Sequence, residues 1–578
     1  MIKKLTYLFL ILLNLGINGF AQNVYKLAIS NTDHQSIFQK ITYKKSFSSK
    51  QFLDKELNKV YISLINEGYL LASVDSVTKD SLNFTAHLLL GKKYKWMSLS
   101  YQKKDEAIIS KLGYNEHFFS NKPFKYVDIS RLMEKIVTHF ENNGYPFIAV
   151  KLDSLQFTSE TIKAKLNIEK NMFLKLDSML TQGTADVKQK FLSRYLGIKN
   201  GMPYNEAAFS EVSRKLKQLP FIAEKSTPIL RLTDKQNKLY LFLDKKNASQ
   251  FDGIVGILPS DKGKTVFTGD VKIKLVSTLF RSGETFDINW RRLQTQTQDL
   301  KALVIYPYIF GLPIGTDYTI KLYKKDSTFI DITNAFGLHY YFSGLNYFKV
   351  FYKQRNANLI STAGLTNITV LPEYADVTTK SYGVAIIFEK MDYKFNPHKG
   401  FNINLQGSVG NRQIRKNPKI NDVAYSLLNL KTSQFQLEGF MIGYINLHKN
   451  HVLKLSSQFG SVFGNTIYKN ELFRIGGLKT MRGFDEESIY ASSYIIPTIE
   501  YRFLFEKNSN IFLFAEGAWY ENFNVQSFTT DTPMSIGAGI NFETKAGIFN
   551  LSYGIGKQFN NSFDLRTGKI HAGLTALF

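Results

Sequence analysis

Alternation of apolar and polar side chains dominates the second half of the chain. In the segment 498–505, large apolar residues occupy every second position, with Thr498, Glu500 and Arg502 between them. Successive side chains of a strand point to opposite faces, so this pattern predicts a strand with one apolar and one polar face. For a single strand, a soluble antiparallel sheet explains the pattern equally well.

Repetition of the pattern favours a membrane barrel over a soluble sheet. Between Phe251 and Phe578 about sixteen such segments follow one another, each with roughly the ten residues that a tilted membrane-spanning strand needs. If the first strand runs outward, the even connections are short turns and the odd ones include the long segments 357–379, 411–424 and 465–490. We therefore predict a 16-stranded antiparallel transmembrane β-barrel.

The chain ends in another alternating segment. Phe578 and Leu574 lie on its apolar face, and Gly573 lies on the opposite face. An alternating strand that ends in an aromatic residue is the usual end of a bacterial outer-membrane barrel. These three residues are therefore candidates for a C-terminal strand signal.

Residues 1–21 have the features of a secretory signal peptide. Lys3 and Lys4 precede the apolar run 5–13, and cleavage is expected after Ala21. The run is too short to span a bilayer as a helix, and no other segment has eighteen apolar residues without charge. The chain contains 0 cysteines, which excludes disulfides and thiol chemistry.

The net charge of +25 is the strongest signal in the composition. A nucleic-acid-binding protein would explain it, but the basic residues are spread over both halves, no binding motif is present and the signal peptide exports the chain. A basic lumen, or basic rims that face anionic lipid head groups, explains the charge more simply. The aromatic content of 14% suits interfacial girdles of Tyr and Phe.

Between the signal peptide and the barrel, a helix followed by a strand repeats. Helical periodicity at 50–66 ends at Gly68, and helical periodicity at 127–142 ends at Gly144, 76 residues further on. Glycine after the last helical turn is typical of a helix C-terminus. A third unit begins near Phe173. We predict modules at 22–92, 93–171 and 172–247, and a barrel at 248–578 whose sixth outer loop, called loop six below, covers 464–490.

Loop six contains the sequence RIGGLKTMRGF. Its candidate functional residues are Gly476, Gly477, Arg482, Gly483 and Phe484. A lone Arg-Gly pair belongs by default to a solvated external loop. The glycine pair, the position between strands eleven and twelve and nearby carboxylates favour a loop that enters the lumen and is anchored there by its arginine. The following acidic run, Asp485-Glu486-Glu487, is expected to be the exposed part of the loop.

At these motifs the chain resembles a known family. The three modules are similar to POTRA domains, and residues 23–578 as a whole resemble the BamA/TamA superfamily of outer-membrane assembly and translocation proteins. The resemblance is most specific at RIGGLKTMRGF and at the predicted periplasmic turn DYKFNPHKGF.

The resemblance implies that Arg482 pairs with an acidic residue on the thirteenth strand. The matching position is Glu516, where the family pattern has Asp, and Ala518 stands where the pattern has Gly. A carboxylate remains to accept the guanidinium, although Glu reaches one methylene further. Glu500, which faces the lumen by alternation, is a second candidate partner.

The function that the resemblance implies is the insertion or translocation of client proteins, with the barrel in the bacterial outer membrane and the modules in the periplasm. The modules would add a client strand to a sheet edge, and a seam between the first and last barrel strands would open towards lipid. Gly556 and Gly573 are expected to weaken the region of the seam. The expected partners are the outer-membrane bilayer, unfolded outer-membrane clients and accessory proteins of the periplasm or inner membrane.

Other functions remain open from the sequence. A secretion pore of the two-partner type would use the same barrel, but such transporters usually carry two POTRA modules and an N-terminal plug helix. A lipid-handling or surface-binding barrel is a further alternative. Enzyme activity is not expected, because no catalytic motif or phosphate loop is present and His448 and His451 lie at a predicted turn. We expect neither a cofactor nor a metal.

Overall fold

The structure is a computed structural model. It describes residues 24–30, 42–94, 96–114, 125–158, 161–233, 236–259, 265–294, 297–393, 396–544, 547–559 and 561–577. The predicted signal peptide and Phe578 lie outside the described residues. Contacts divide the chain into one unit of residues 1–175 with 203–206, and a second unit of residues 176–202 with 207–578. The predicted module boundaries stay predictions.

The first unit begins with a four-stranded sheet of order β2-β1-β4-β3. Leu53, Val60 and Leu64 recur at helical spacing and bury one face of its helix. Gly68, at φ +97°, follows the C-terminus of this helix. The elements are β1 (Tyr25–Ser30), β2 (Ser46–Phe47), α1 (Lys50–Asn66), β3 (Ser73–Asp80) and β4 (Asn83–Leu89).

A three-stranded sheet of order β5-β7-β6 follows in the same unit. Its longer helix buries Ile129, Leu132, Ile136 and Phe140, which share one helical face. The elements are β5 (Trp96–Ser100), α2 (Glu106–Lys111), α3 (Tyr126–Glu141), β6 (Ala149–Phe157) and β7 (Thr161–Glu169).

The second unit contains a third sheet, of order β8-β10-β9, together with the barrel. The core of this sheet continues into the barrel turns, because the ring of Phe191 lies 5.8 Å from that of Tyr308. The elements are β8 (Ser178–Gln182), α4 (Gln189–Leu196), α5 (Glu206–Ser210), α6 (Val212–Gln218), β9 (Ile222–Arg231) and β10 (Lys238–Lys245).

The barrel closes from β11 to β30. β25 and β26 are two halves of one strand interrupted at Ala518, and β27 and β28 likewise form one strand, so 16 antiparallel strands are present in the described residues. A small hairpin of β22 and β23 lies inside loop six. The elements are β11 (Gln250–Pro259), β12 (Thr265–Val276), β13 (Thr285–Gln294), β14 (Thr297–Tyr306), β15 (Ile314–Lys325), β16 (Phe329–Ser343), β17 (Asn346–Leu359), β18 (Val377–Met391), β19 (Gly400–Ile414), β20 (Lys431–His448), β21 (His451–Phe463), β22 (Phe473–Ile475), β23 (Ile489–Ala491), β24 (Ser493–Glu506), β25 (Ser509–Gly517), β26 (Trp519–Asn524), β27 (Ser527–Asp531), β28 (Met534–Thr544), β29 (Gly547–Lys557) and β30 (Lys569–Leu577).

The two faces of the barrel wall differ as the alternation predicts. On β24, Ile499 and Tyr501 are exposed on the outer surface, whereas Thr498 and Glu500 are buried on the inner surface. The predicted fold class is therefore confirmed. Among the described residues, no helix is long and apolar enough to cross a membrane.

The first and last strands of the barrel are weakly joined. β11 and β12 pair at ten positions, from Gln250↔Lys274 to Pro259↔Thr265. In the part of the chain that the structure describes, β11 and β30 pair only at Gln250↔Leu577 and Phe251↔Ala576. This junction is called the seam below.

Candidate functional site

Loop six makes a tight turn immediately before its arginine. Gly476 and Gly477 have φ values of +111° and +93°, which residues with a Cβ rarely adopt. The Thr480 hydroxyl oxygen accepts from the Gly476 amide and donates to the Gly476 carbonyl, at 2.8 Å in each case. The Gly477 amide donates to the Met481 carbonyl at 2.9 Å. These bonds fix the direction in which Arg482 leaves the turn.

Arg482 is enclosed by two carboxylates and an aromatic ring. Its Nε and Nη2 donate to Glu516 Oε1 at 2.7 and 2.6 Å, and its backbone amide donates to Glu516 Oε2 at 2.7 Å. Its Nη1 donates to Glu500 Oε2 at 2.9 Å. The guanidinium carbon lies 3.6 Å from the centroid of the Phe514 ring, a cation–π contact. The predicted arginine and both predicted acidic partners are thus brought together.

Strand register explains why two carboxylates meet at one arginine. Glu516 lies opposite Thr498, and Glu500 lies opposite Phe514, on the paired strands β25 and β24. Because these four residues alternate with outward-facing neighbours, all four point to the inner face. Glu500 is therefore directly across from Phe514 and Glu516 lies beside it on the same strand, so the two carboxylates are diagonal to each other and leave one position over the Phe514 ring for a cation.

Both carboxylates are buried, and Glu500 has further cationic neighbours besides Arg482. Glu500 is 2% exposed and Glu516 is 6% exposed. Arg502 Nε donates to Glu500 Oε1 at 2.7 Å, and Lys454 Nζ lies 3.7 Å from Glu500 Oε2. Burying a charge is costly unless ion pairs and hydrogen bonds compensate for the lost water. The sequence did not identify Lys454, because its role depends on its pairing opposite Glu500.

Gly483 and Phe484 lie against the backbone of β29. A Cβ atom on Gly483 would lie 2.9 Å from the Gly556 amide nitrogen, and one on Gly554 would lie 3.0 Å from the Gly483 nitrogen. A Cβ on Gly556 would lie 2.7 Å from the Phe484 ring. Glycine is thus needed on both sides of this contact. Gly556, which the sequence marked only as a weak point near the seam, forms part of the surface that receives loop six.

Phe484 also belongs to an apolar cluster inside the barrel. The ring is 9% exposed. Apart from Phe484, the buried members of the cluster are Ile475, Met481, Ile489, Ala491, Tyr494, Ile496, Ala518 and Tyr520. Loop six therefore has its own hydrophobic contact with the wall in addition to its ion pairs.

The prediction that the acidic run after the motif is exposed was wrong for Glu486 and Glu487, which form ion pairs. Glu487 Oε1 accepts from Arg291 Nη2 at 2.8 Å, and Glu486 Oε2 lies 3.8 Å from Arg291 Nη1. Glu487 also pairs with Arg474 at 3.2 Å. Asp485, with a side chain that is 71% exposed, is the one member that matches the expectation. The run attaches the outer part of loop six to β13.

A further attachment lies at the start of loop six. Arg412 on β19 forms two hydrogen bonds with Glu471, Nε to Oε1 and Nη2 to Oε2, both at 2.7 Å. Arg355 on β17 donates to the Glu471 carbonyl at 3.2 Å and to the Asn470 carbonyl. The side chains of Arg412 and Glu471 are 1% and 3% exposed. Nothing in the sequence marks this pair, since neither residue belongs to a motif.

The C-terminal strand signal stays a prediction. Leu574 pairs opposite Phe549 and Gly573 pairs opposite Asn550 on β29, while Phe578 lies outside the described residues. Within the described ranges, no group of three or more His, Cys, Asp or Glu side chains is arranged to hold a metal ion.

Three solved structures of other proteins are similar to this chain at low sequence identity. The chain is similar to CdiB from Escherichia coli, with 13% identity, coverage of 92% of this chain and 97% of that chain, and a TM-score of 0.52. For CdiB from Acinetobacter baumannii the identity is 12%, the coverage 91% and 98%, and the TM-score 0.51. BamA from Haemophilus ducreyi lacking POTRA domains 1-3 gives 14% identity, coverage of 84% and 100%, and a TM-score of 0.41.

The family is identified by the sequence of the barrel rather than by these distant structures. No curated protein matches the chain. Residues 279–575, more than half of the chain, match the Omp85 superfamily domain. This protein therefore belongs to the Omp85 superfamily.

Proposed function

We propose that this protein inserts or translocates client proteins at the outer membrane through POTRA strand addition and a lateral barrel seam. Omp85 proteins are non-enzymatic barrels for assembly or secretion, located in the outer membrane with their POTRA-like region in the periplasm. The proposed partners are the bilayer, unfolded outer-membrane clients and accessory proteins of the periplasm or inner membrane. We propose no catalytic step.

The weak seam is the observation that carries this proposal. In the described residues β11 and β30 pair with each other only at Gln250 and Phe251, and each backbone N–H or C=O group left unsatisfied in the hydrocarbon region costs several kcal/mol. A client strand that pairs with such an edge removes this cost. Backbone hydrogen bonds also give affinity without demanding one client sequence.

Edge strands of the periplasmic sheets support the first step. In the described residues, β3 pairs only with β4, and β6 pairs only with β7. Each edge has exposed apolar side chains, Val74 and Val77 on β3 and Leu155 and Phe157 on β6. An extended client segment would add to such an edge as a further strand, with its apolar side chains against these residues.

Because loop six is attached inside the lumen, the seam is favoured over the lumen as the route that a client protein takes. Arg482 is held by Glu500 and Glu516 at 2.6 to 2.9 Å, and the start of the loop is held by Arg412. A pore through the lumen would require these buried pairs to break, and each pair broken would leave a costly unpaired charge. We assign Arg482 the role of keeping loop six in the lumen while the seam opens.

A disulfide across the seam tests the proposal. Phe251 and Ala576 are directly opposed, and opposed antiparallel residues have Cα atoms within the range that a disulfide bridges. Because the chain has 0 cysteines, the F251C/A576C variant forms this bond without competing thiols. We expect the oxidised variant, as the only copy in the host, to lose client insertion, and a reductant to restore it.

The matched control is a disulfide elsewhere on the lipid-facing wall. Phe348 and Ile386 are also directly opposed, between strands β17 and β18, which pair continuously from Tyr347↔Ile387 to Ala357↔Val377. The F348C/I386C variant should insert clients normally when oxidised. Full activity of the oxidised F251C/A576C variant would overturn the seam mechanism.

The outer-membrane proteome measured by quantitative mass spectrometry separates the remaining functions. Loss of many barrels on depletion would identify a general assembly factor, whereas loss of one or a few would identify a specialised inserter or a dedicated exporter. An unchanged proteome would refute the proposal and favour lipid handling or surface binding.

A further inference from the structure

A groove runs along the outer surface of the barrel wall formed by β16 to β21. Its volume is about 820 Å³. Its lining is apolar, and the main side chains are Val350, Tyr382, Val384, Val409, Phe435 and Leu437. All six are more than a third exposed in the protein alone, and in the outer membrane this face meets lipid.

A glycine on the lipid-facing surface creates the groove. Gly407 on β19 lies opposite Val384 on β18 and opposite Leu437 on β20. A Cβ atom on Gly407 would meet only Leu437 Cδ1, at an ordinary 3.8 Å, and the backbone is not in the left-handed region. The backbone therefore does not require glycine here, and the missing side chain leaves space beside its two neighbours.

Two lysines place the groove in the outer leaflet. Lys380 and Lys390 are exposed on the same outward face of β18, at the two ends of its apolar positions. Ten residues of a strand tilted by about 40° span roughly 25 Å, the height of the apolar band of such barrels. Lys380 is nearer the outer loop and Lys390 nearer the turn at 392–399. The groove begins at Tyr382, directly below Lys380.

The surface above the groove is positively charged. Lys380 pairs in register with Gln354 and with Asn411, which are neutral. Gln413, the next lipid-facing residue of β19 towards the outer loop, pairs with Lys431. These five residues comprise two cations and no carboxylate. Lysines at the membrane surface attract anionic lipid head groups.

We propose that this groove binds an acyl chain of an anionic, phosphate-bearing lipid of the outer leaflet, whose phosphate lies at Lys380 and Lys431. An apolar groove that faces the bilayer contains neither stable water nor a stable void, because its lining would lose contacts, so lipid fills it. The site lies near the boundary of β18 and β19, eight strands from the seam in either direction. The site holds lipid on the side of the barrel opposite the seam. This lipid site does not depend on the proposed function.

Retention of lipid by the purified full-length protein tests this site. The protein is reconstituted in vesicles of equal phosphatidylglycerol and phosphatidylcholine with identical acyl chains, then transferred to detergent and weighed by native mass spectrometry. We expect the wild-type protein to retain one phosphatidylglycerol in preference. G407L fills the groove with a side chain that the backbone accepts, and should lower this retention about tenfold.

Gly443 provides the matched control. It lies opposite Phe401 on the same lipid-facing surface but nearer the periplasm, and a Cβ atom there would meet only Leu455 O, at 4.0 Å. G443L should therefore retain phosphatidylglycerol as the wild type does. K380Q and K431Q should each reduce the preference for phosphatidylglycerol over phosphatidylcholine by roughly fivefold.

Three results would overturn the site. They are undiminished retention by G407L, equal loss in G407L and G443L, and equal retention of the two lipids by the wild-type protein. Heat-modifiable migration in gel electrophoresis verifies that each variant has folded as a closed barrel before its lipid content is compared.

Discussion

Asn396, in the turn before β19, and Asn510, on β25, are hydrogen-bonded to each other although β20, β21 and β24 lie between β19 and β25 in the barrel wall. Asn510 Nδ2 donates to Asn396 Oδ1 at 3.1 Å, and Asn396 Nδ2 donates to the Lys507 carbonyl at 3.2 Å. Asn396 is 2% exposed. The turn between β18 and β19 therefore folds inward at Asn396 and joins the start of β25.

Asp392 and Gly400 shape this turn. Asp392 Oδ1 accepts from the amides of Tyr393, His398 and Lys399 at 3.0 to 3.2 Å. Gly400 has φ +119°, and a Cβ atom there would lie 2.1 Å from the Lys390 carbonyl oxygen. The carboxylate and the glycine thus hold the turn in the shape that directs Asn396 inward.

We predict that N396A weakens the contact between these turns. The substitution leaves Nδ2 of the buried Asn510 without its acceptor and removes the donor to the Lys507 carbonyl, which costs about 1–3 kcal/mol. The thermal midpoint of barrel unfolding, read from heat-modifiable migration, should fall. H398A alters the same turn at a side chain that is 40% exposed, and should have little effect. Equal midpoints for N396A and the wild type would contradict this role of Asn396.

We predict that R412A releases the start of loop six. It leaves the Glu471 carboxylate buried without its bidentate partner, and breaking a buried ion pair in this way costs about 3–5 kcal/mol. Proteases added from outside should then cleave within 464–490 faster than in the wild-type protein. K416A removes an ion pair with Asp422 whose side chains are 50% and 79% exposed, so its cleavage rate should not change. Resistance of R412A to cleavage would show that the other contacts hold the loop alone.

Conservative changes at Glu516 test the geometry of the Arg482 site. One Glu516 oxygen accepts from the guanidinium and the other accepts from the Arg482 amide. E516D shortens the side chain by one methylene and should lose one of these contacts, at a cost of about 1–3 kcal/mol. E516Q removes the charge and should cost more, roughly 3–5 kcal/mol.

The quantity to measure is the rate at which an added protease cleaves loop six in each of the two Glu516 variants. Protease cleavage of loop six should increase from the wild type to E516D and again to E516Q. S535A serves as the control, because Ser535 contacts the same carboxylate by a single hydrogen bond of 3.3 Å. If E516D proved as resistant as the wild type, the extra methylene of Glu516 would have no role in holding the loop.

Local signals in the sequence predicted the elements that depend on local contacts. The helix predicted at 50–66 is α1, with Ser49 at its N-cap and Gly68 after its end. The helix predicted at 127–142 is α3, Tyr126–Glu141, one residue earlier at each end. Both helices have a buried apolar stripe and a glycine after their last turn, and both signals can be read from the sequence of the helix itself and the residues next to it.

Contacts between distant strands could not be found in the same way. Arg412 and Glu471 are 59 residues apart, and they meet because strand pairing and the path of loop six bring them together. The interruption at Ala518, which separates β25 from β26, likewise depends on β24, the strand that pairs with both halves. Arg482, Glu500 and Glu516 could be named only because motif and alternation both pointed to them.

Gly283 offers a test of the joint between the third sheet and the barrel. It lies in the turn between β12 and β13, has φ +74°, and a Cβ atom there would lie 2.6 Å from the Phe191 ring of α4. G283A should therefore displace Phe191 as well as strain the backbone, at a combined cost of about 2–4 kcal/mol. Gly201 has a similar φ of +79° with nothing within 4 Å, so G201A carries the strain alone, about 1 kcal/mol.

Limited proteolysis in the third sheet distinguishes these two glycine variants. In G283A the sheet should be cleaved faster while the barrel stays resistant, because Phe191 loses its contact with Tyr308 and with the turn. In G201A cleavage should stay close to the wild-type rate. Similar rates for the two variants would mean that backbone strain accounts for the whole effect and that Phe191 can move aside. A much faster rate for G283A would show that the third sheet is held against the barrel by this ring.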